Sequence, residues 1–408
     1  MLLLLILCHL NYAKKVNVCK QGCSYSSIQN ALDQASSNDS IFIKKGIYKE
    51  HDIMVKNKKN LYIYGEEGSV VDIANEGYGF NFDNTSFTLK DITIKGVKMS
   101  YTTDYAAIYT FECFDFNIEN IDLEDAFFGM LIEKSRNGKI TNNRISGQGQ
   151  KEQSTGNAIH LWHSNHLRVT NNEVFNMRDG IYIEFGNNCE FINNESYQNL
   201  RYGMHFMFSN DNLYQNNLFY SNSAGVAVMF SKRIKMYDNV FEKNWGSASY
   251  GLLLKEINDA ELKHNKFKNN TIGVTADGTT RIKYIENDFI NNGYAVEFIG
   301  GCYDNNFKHN NFLYNNFDLS YSGGLNNNRF DENYWSSYTG YDLDKDGYGD
   351  VPYRPVKLFS YLVSKTPESI ILLRSLFVDI INFSEKVSPV FTPKNLTDSK
   401  PLMKEVEW

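Results

Sequence analysis

The sequence predicts an all-β protein, a right-handed parallel β-helix of about ten or eleven coils with a small C-terminal helical segment. Two observations carry this prediction: a repeat of roughly twenty-two residues, and apolar residues that alternate with period two inside each repeat. A helical solenoid would instead need ten or more residues of period 3.6 in each repeat. Each coil adds roughly 4.8 Å, so the expected rod is roughly 50 Å long.

The repeat is marked first by a small residue in front of each alternating apolar run. Extra residues loop out near 148–154 and 245–249, and loops of this kind often carry binding residues. The leading residues are Ala107, Gly129, Ala158, Gly180, Gly203, Gly225, Gly251, Gly273 and Ala295.

A second register of asparagines runs in phase with the first. Asparagine tolerates the left-handed conformation of a sharp corner, and stacked amides can form hydrogen-bonded ladders between coils. The repeat therefore specifies architecture and names no chemistry. The asparagines are Asn143, Asn172, Asn194, Asn217, Asn239, Asn265, Asn287 and Asn310.

The composition is that of a folded chain that is rich in strands and turns. Of the 408 residues, 42% are hydrophobic and 22% are charged, and the net charge of −7 makes nucleic acid an unlikely partner. Residues 1–13 read as a short apolar export signal that is removed, although they lack a basic start. The alternative is a buried strand.

Six cysteines are present, and Cys8 would leave with the signal. Cys19 and Cys23 are close enough to form a disulfide in an oxidising compartment, with a soft-metal site as the alternative. Isolated cysteines behave as small buried residues. We expect that of the other three.

Counting from each leading residue, the first, third and fifth positions should point inward and the second and fourth outward. Ile181, Met204 and Val226 fall in one inward column. By the same count, Phe185 and Phe208 stack with Phe230 in the core.

The outward positions carry an unusual strip. His160 and His205 stand two steps after a leading residue, and Met207 and Met229 stand four steps after one, on neighbouring coils. Imidazole and thioether together suit Cu(I), so these four residues are a candidate Cu(I) site. His160 is two coils from His205, roughly 10 Å, which disfavours one ion bound by all four.

Other residues of the strip suggest different occupants. Trp162, Tyr182 and Glu184 would suit a partner protein packed on the strip, and they would equally suit a saccharide. Packing under a loop is the remaining interpretation. The sequence leaves these alternatives open.

An acidic segment follows the repeats. Asp342, Asp344 and Asp346 with the following glycine resemble the first half of a calcium loop, and Asp350 stands at its ninth position. The twelfth position is Tyr353 instead of the expected Glu. Calcium binding and a plain acidic turn are both consistent with this pattern.

A short apolar helix is expected from Ser369 to about residue 381. It is too short to span a membrane, so it either caps the solenoid or docks on another protein through Leu372, Leu373, Leu376 and Phe377. The expected organisation is a removed signal at 1–13, a β-helix at 14–335, and an acidic loop with a helical docking or capping region at 336–408.

Several strings resemble the NosD family. The matching strings lie at residues 156–162 (GNAIHLW), 179–185 (DGIYIEF), 200–209 (LRYGMHFMFS), 224–229 (AGVAVM), 244–256 (NWGSASYGLLLKE), 340–344 (GYDLD) and 372–377 (LLRSLF). Together they span most of the chain after the signal, and they are more specific than a generic β-helix repeat. Cys19 and Cys23 depart from the family pattern.

The resemblance implies a periplasmic protein, membrane-associated through an ABC transporter, that helps to build the copper–sulfide centre of nitrous-oxide reductase. It implies the transporter pair NosF and NosY and the copper chaperone NosL as partners, with copper as a transient cargo. The family is not known as an enzyme, and it supplies no catalytic residues to carry over.

Two other classes compete with this interpretation. A β-helix lyase, epimerase or hydrolase would need paired carboxylates or an acidic calcium cluster in the groove, whereas the outward face offers Glu133 and Glu184, two coils apart. The D-P-H-D string of alginate epimerases is absent. An adhesin-like rod would not explain a His/Met strip confined to neighbouring coils.

Overall fold

The computed structural model describes residues 13–148, 151–246, 249–322, 327–387 and 396–408. The export signal predicted at 1–13 therefore lies almost wholly outside the described residues, as does Cys8.

The chain winds as a parallel β-helix with three columns of strands, and every pairing between neighbouring strands in a column is parallel. The first column has fourteen strands within the described residues. Its members are Lys15–Val18, Ser40–Ile43, Leu61–Gly65, Phe87–Lys95, Asn117–Glu124, Lys139–Thr141, Arg168–Thr170, Glu190–Ile192, Leu213–Gln215, Lys235–Tyr237, Glu261–Lys263, Lys283–Ile285, Asn306–Lys308 and Arg329–Asp331.

The second column shares the two long strands Phe87–Lys95 and Asn117–Glu124 with the first, so the two columns join into one bent sheet. Its other strands are Gly46–Lys49, Ser69–Asp72, Arg144–Ser146, Glu173–Phe175, Glu195–Tyr197, Leu218–Tyr220, Val240–Glu242, Lys266–Lys268, Asp288–Ile290, Asn311–Leu313 and Tyr334–Trp335.

The third column is a separate sheet of twelve strands among the described residues, and it carries the His/Met strip. Its strands are Ile53–Lys56, Phe80–Asp83, Ala106–Phe111, Phe128–Glu133, Ile159–Trp162, Asp179–Glu184, Tyr202–Met207, Ala224–Met229, Leu252–Lys255, Ile272–Asp277, Tyr294–Ile299 and Phe317–Ser322.

The predicted fold is confirmed, but the expected ten or eleven coils were too few. The additional coils lie mainly between residues 15 and 95, where the third column has the two strands Ile53–Lys56 and Phe80–Asp83. Asp52 precedes the first of these strands in place of a small residue, whereas Gly79 precedes the second. The repeat recognised in the sequence began at Ala107, so these coils were undercounted.

The small leading residues are explained by the distance between coils. A Cβ placed on Gly225 would lie 2.2 Å from the carbonyl oxygen of Gly251 on the next coil. A side chain there would collide with backbone, which cannot move aside without breaking the ladder.

The asparagine register forms a continuous buried ladder. The backbone N and the Nδ2 of Asn217, for example, both donate to Oδ1 of Asn239, at 3.0 and 2.9 Å. The left-handed corner is one residue earlier than expected, at Asn216, whose φ is 54°. The ladder asparagines thus satisfy buried backbone groups, and their neighbours turn the chain.

Both ends of the solenoid are covered. Helix α1 (Ile28–Gln34) buries Ile28, Ala31 and Leu32, and the Glu50 carboxylate accepts a 2.8 Å hydrogen bond from the first helical amide. Cys19 and Cys23 form the expected disulfide, and Cys113, Cys189 and Cys302 are free and buried as predicted.

At the other end, helix α2 (Leu358–Lys365) packs on the last strand of the third column through Phe359, Val363 and Phe317. A 3-10 helix follows at Pro367–Leu372, and α3 spans Leu376–Val387, so two elements replace the single helix expected from Ser369. Among the described residues, no helix combines the length and hydropathy needed to cross a membrane.

Candidate functional site: the outward strip of the third column

The strip lies on adjacent strands in the register that the sequence predicts. His160 pairs with Tyr182 and Tyr182 pairs with His205, while Met207 pairs with Met229 on the next coil. His205 and Met207 stand two residues apart on one strand, so they share a face. The ring centroid of Tyr182 lies 4.6 Å from that of His160 and 5.0 Å from that of His205.

Part of the strip is more buried than an outward face would be. His205 is 7% exposed and Ala227 is 0% exposed, whereas Met207 and Met229 are half-buried. The rings of Tyr182 and Tyr202 flank the His205 imidazole, Tyr202 at 4.8 Å between centroids. The strip is therefore a recess rather than a solvated surface.

The phenylalanine column was assigned wrongly to the core. Phe185, Phe208 and Phe230 are 36%, 40% and 40% exposed, and each has a positive φ between 50° and 54°. The strands end at the preceding residue, so the alternation stops and the fifth position becomes a left-handed corner. The rings instead stack outside, with centroids 5.2 and 5.1 Å apart.

A buried ion pair that the sequence did not reveal lies beside the recess. Asp179 is 0% exposed, and Arg201 binds both of its oxygens, with Nε donating to Oδ1 at 2.8 Å. The Tyr202 amide also donates to Oδ1, at 3.3 Å. Burial alone would raise the pKa of Asp179, but Arg201 and His205 outweigh burial and lower it, so the carboxylate is ionised.

The only available sequence signal for this pair was an acid immediately before a leading glycine, with an arginine one coil later. Such a pattern is common on any solenoid, since nearest neighbours in space are one repeat apart. It did not single out Asp179.

Both ring nitrogens of His205 are buried and make no hydrogen bond, and Nδ1 lies 3.9 Å from Oδ2 of Asp179. Nε2 of His160 is likewise buried without a partner. Leaving buried polar atoms in this state costs about 1–3 kcal/mol each, and a ligand that pairs with them removes that cost. Imidazole beside two thioethers is a donor set that fits Cu(I).

The pKa of His160 is lowered to about 4, first by burial and then by the charge of Arg178. His160 is therefore neutral at pH 7. A neutral imidazole donates from one nitrogen and accepts at the other.

The acids of the outward face are engaged by tyrosines. Tyr109 donates to Glu133 at 2.9 Å, and Tyr182 donates to Glu184 at 3.2 Å. Burial and then the Glu184 charge raise the pKa of Tyr182 to about 12. The side chain of Trp162 is half-buried at the same edge, next to the ring of His163.

The acidic loop brings three of its four predicted residues together. Carboxylate oxygens of Asp342, Asp344 and Asp346 lie within 4.8 Å of one another, and Asp350 instead accepts from the amide of Leu343 at 2.8 Å. Asp342 also accepts from the amides of Asp346 and Gly347, which a plain acidic turn explains equally well. The calcium site stays a prediction.

The C-terminal apolar residues divide between two roles. Leu372, Leu376 and Phe377 are 38%, 74% and 54% exposed, whereas Leu373 is half-buried against the cluster formed by Phe317 and Phe359. Leu373 therefore packs on the body of the protein and does not extend the exposed apolar surface. The outer side of α3 continues that surface with Ile380 and Phe383, which are 56% and 68% exposed.

The geometry defines the class of protein: a parallel β-helix with a recessed strip of histidine and methionine on one sheet. Residues 145–340, which contain the whole strip, match the family model described as NosD, periplasmic copper-binding protein. The resemblance to the NosD family seen in the sequence is thus confirmed over this stretch.

Two curated relatives carry the same family name. A probable ABC transporter binding protein NosD from Pseudomonas aeruginosa is 38% identical over 72 residues, which is 18% of this chain and 17% of the relative. The protein of that name from Stutzerimonas stutzeri is 35% identical over 72 residues, 18% of this chain and 16% of the relative. The aligned stretch thus spans about one sixth of each relative's length.

Solved structures share the fold. The mannuronan C-5 epimerase AlgE4 A-module of Azotobacter vinelandii has a TM-score of 0.52 at 16% identity, covering 74% of this chain and 90% of that one. An alpha-1,3-glucanase catalytic unit from Streptomyces thermodiastaticus has a TM-score of 0.60 at 13% identity, covering 79% and 69%. At such identities the likeness concerns the β-helix alone.

Proposed function

We propose that this protein is a periplasmic accessory factor that handles Cu(I) during assembly of the copper–sulfide centre of nitrous-oxide reductase, together with an ABC transporter. The observation that carries the proposal is the position of His205, Met207 and Met229, which lie in one recess inside the stretch that matches the NosD family model. Copper is here a cargo that the protein receives and passes on.

The chemistry of the recess supports a transient soft-metal site. Neutral imidazole and thioether bind Cu(I) without adding charge, and methionine is flexible enough to adjust its sulfur to the ion. Met207 and Met229 are half-buried, so their thioethers stay accessible for delivery and release of the ion. Tyr182 separates His160 from His205, so His160 is remote from this donor set.

Competition with a chromogenic Cu(I) chelator tests direct binding. We expect wild-type protein to withdraw Cu(I), and Met207→Ala with Met229→Ala to weaken this by about tenfold or more. Met99→Ala is the matched control, because Met99 is 45% exposed and remote in sequence from the strip. If wild-type protein withdraws no copper, direct handling of copper is excluded.

The role in assembly is tested genetically. Deletion of the gene should leave nitrous-oxide reductase deficient in the copper of its copper–sulfide centre, and expression of the wild-type gene should restore it. Metal analysis of the purified reductase provides the readout. A fully loaded reductase from the deletion strain would contradict the proposal.

Association with the transporter is assigned to the exposed apolar surface of Leu372, Leu376 and Phe377, continued by Ile380 and Phe383 on α3. Apolar helix faces of this kind dock on complementary grooves of partner proteins. The proposed partner for this surface is the membrane subunit NosY. NosF is the proposed ATPase of the same transporter, and NosL is the proposed copper donor. Leu376→Asp with Phe377→Asp should abolish co-purification with NosY. Ile47→Asp is the control, since Ile47 is 53% exposed on an N-terminal strand.

A carbohydrate-active β-helix is the second candidate, favoured by one observation: Tyr182 lies between two imidazoles and donates to Glu184 on the same strip. Histidine and tyrosine are common acid–base groups. Incubation with polymannuronate, followed by detection of unsaturated or epimerised products, or with an α-glucan, followed by detection of new reducing ends, would reveal such an activity. His205→Gln would have to abolish it.

A further inference from the structure

A cavity of about 240 Å³ lies where the end of the solenoid meets helices α2 and α3. Its wall includes Asn316, at the corner after the strand Asn311–Leu313, Lys357 at the start of α2, and Asn382 on α3. The adjoining strand of the third column is four strands beyond the one that holds Met229. The cavity is therefore separate from the recess proposed for copper.

Two cations of the cavity wall lack a counter-ion. Lys357 is half-buried and Arg374 is exposed, and neither forms an ion pair or a side-chain hydrogen bond with any residue that the structure describes. The charge of Lys357 acts on the buried Asp318 only at longer range than an ion pair. Asp379 is the one acid among the described residues of the wall, so two cations and one acid leave one excess positive charge.

The first turns of two helices add to the positive character of the cavity. α2 starts at Leu358 and α3 starts at Leu376. Phe359 and Val378, from these first turns, line the wall. The first amides of a helix have no acceptor inside the helix and carry partial positive charge, which favours an anion beside them. The N-cap residue of α2, Lys357, supplies no side-chain acceptor for these amides.

Amide side chains complete the set of donors. Oδ1 of Asn382 is buried without a hydrogen bond, and a half-turn of the amide exchanges this oxygen for the NH2 group. Asn316 is exposed, and its side chain has no partner among the described residues. The cavity thus gathers two charged and two amide donors from the solenoid, α2 and α3.

A phosphate group matches this set better than a carboxylate. Its oxygens are arranged as a tetrahedron, so donors that approach from three structural elements can each meet one, and arginine and lysine both bind phosphate readily. Its negative charge also neutralises the excess positive charge of the wall. Free phosphate and phospholipid headgroups both carry this group, and the exposed apolar residues Leu376, Ile380 and Phe383 of α3 would bring the cavity close to a membrane.

We propose that Lys357 and Arg374 form a phosphate-binding site at the base of helices α2 and α3. The site takes inorganic phosphate or the headgroup phosphate of a phospholipid. Its occupancy does not depend on the copper cargo.

Isothermal titration of the full chain with inorganic phosphate tests the site. We expect saturable binding that Lys357→Gln with Arg374→Gln weakens by about tenfold or more, because two charge-assisted contacts are lost. Arg136→Gln with Lys139→Gln is the matched control, since it removes the same two charges from exposed positions outside the cavity wall.

Three results would overturn the proposal. They are the absence of phosphate binding to wild type, an unchanged phosphate affinity in the Lys357 and Arg374 variant, and equal affinity of wild type for acetate. If that double variant has a lower urea midpoint than wild type, Arg374→Gln alone decides, because its side chain is exposed and forms no ion pair with a described residue.

Vesicle flotation identifies the source of the phosphate. Phosphatidylglycerol vesicles are compared with vesicles of digalactosyldiacylglycerol, which have acyl chains but no phosphate. Binding to phosphatidylglycerol that is about tenfold tighter, and that is lost in the Lys357 and Arg374 variant but kept in the control, identifies a headgroup site. Equal binding to both vesicles together with saturable binding of inorganic phosphate identifies a site for free phosphate. Equal binding to both vesicles without binding of inorganic phosphate overturns the proposal.

Discussion

Asp398 terminates the asparagine ladder by accepting from Asn333 twice. Its Oδ2 takes the backbone amide of Asn333 at 3.0 Å and the Nδ2 of the same residue at 3.1 Å. In every earlier coil of the ladder, the same two groups of the asparagine donate to the side-chain oxygen of the next asparagine. Asn333 is the last asparagine of the ladder, so no asparagine follows to accept from it. A carboxylate from the C-terminal tail replaces the missing amide oxygen and also accepts from Trp335 Nε1 at 3.0 Å.

Removing this acceptor should unravel the last coils. Asp398→Ala leaves three buried donors without a partner, and at about 1–3 kcal/mol each the loss is roughly 3 kcal/mol or more. Asp398→Asn should cost less, because an amide oxygen can still face Asn333 while its NH2 group meets the donating amide of Lys400.

The measurement is hydrogen exchange at the amides of Asn310 and Asn333, combined with urea unfolding. Solenoid stability is local, so faster exchange should be confined to the C-terminal coils. Asp304→Asn, at an exposed corner, is the control. Unchanged exchange in Asp398→Ala would show that the ladder does not need its last acceptor.

Asp318 makes stability depend on pH. Burial raises its pKa to about 6, its Oδ2 accepts from Tyr353 at 3.1 Å, and its Oδ1 has no partner. In an unfolded chain the group titrates near 3.9. The folded state therefore binds the proton more tightly, and its stability should fall as pH rises between about 4 and 6.

Replacement by asparagine should remove this dependence. The ionised Asp318 lowers the free energy of unfolding by at most about 2–3 kcal/mol. The free energy of unfolding of Asp318→Asn should therefore rise relative to that of wild type as pH increases from about 4 to 7. Urea midpoints recorded across this range, with Asp304→Asn as control, test it. If the urea midpoints of wild type and Asp318→Asn change with pH in parallel, Asp318 is not the source of the pH dependence.

Gly225 tests the coil spacing. Gly225→Ala places a Cβ 2.2 Å from the Gly251 carbonyl, and relief requires separating two hydrogen-bonded coils, so we expect a loss of about 2–3 kcal/mol. Gly246→Ala is the matched control, because its nearest neighbour is the Cβ of Ser249 at 3.3 Å and its loop lies outside the ladder. Equal urea midpoints for the two variants would exclude a steric role.

The architecture was predictable from sequence because its determinants are local and repeated. Gly225 and Asn217 each recur once per coil, so a small residue and an amide at a fixed period encode both the close approach and the ladder. The register followed directly, and it placed Met207 beside Met229. The N-terminal coils keep the small residue at Gly79 but have Asp52 one coil earlier, and the asparagine register begins only at Asn143, which is why the coil number was underestimated.

The chemistry of the recess was less predictable, because it depends on contacts between coils that have no period. Asp179 pairs with Arg201 beside His205 and is buried, whereas the Asp211–Arg233 and Asp259–Arg281 pairs have the same separation and are exposed. Strand alternation indicates which face a residue occupies but not whether a loop or a neighbouring ring covers it. His205 was therefore placed correctly on the outer face and wrongly among exposed residues.

The exposed phenylalanine ridge, Phe185, Phe208 and Phe230, is expected to serve binding more than stability. A left-handed conformation costs an L-residue roughly 1–2 kcal/mol, and Phe208 holds it with a φ of 50°. The stacking of its ring on Phe185 and on Phe230 stabilises the fold by about 0.5–1.5 kcal/mol each. Phe208→Gly should therefore change the free energy of unfolding by no more than about 1 kcal/mol.

The same substitution should weaken docking of a partner protein on the strip. The ridge adjoins Met207 and Met229 directly in sequence, and its aromatic residues give way to Glu256 on the coil after Phe230. We expect Phe208→Gly to reduce capture of copper-free nitrous-oxide reductase, whereas Glu256→Gly, at the equivalent corner with a φ of 54°, should not. A loss of more than about 3 kcal/mol in urea unfolding with unchanged capture would instead make the ridge a structural element.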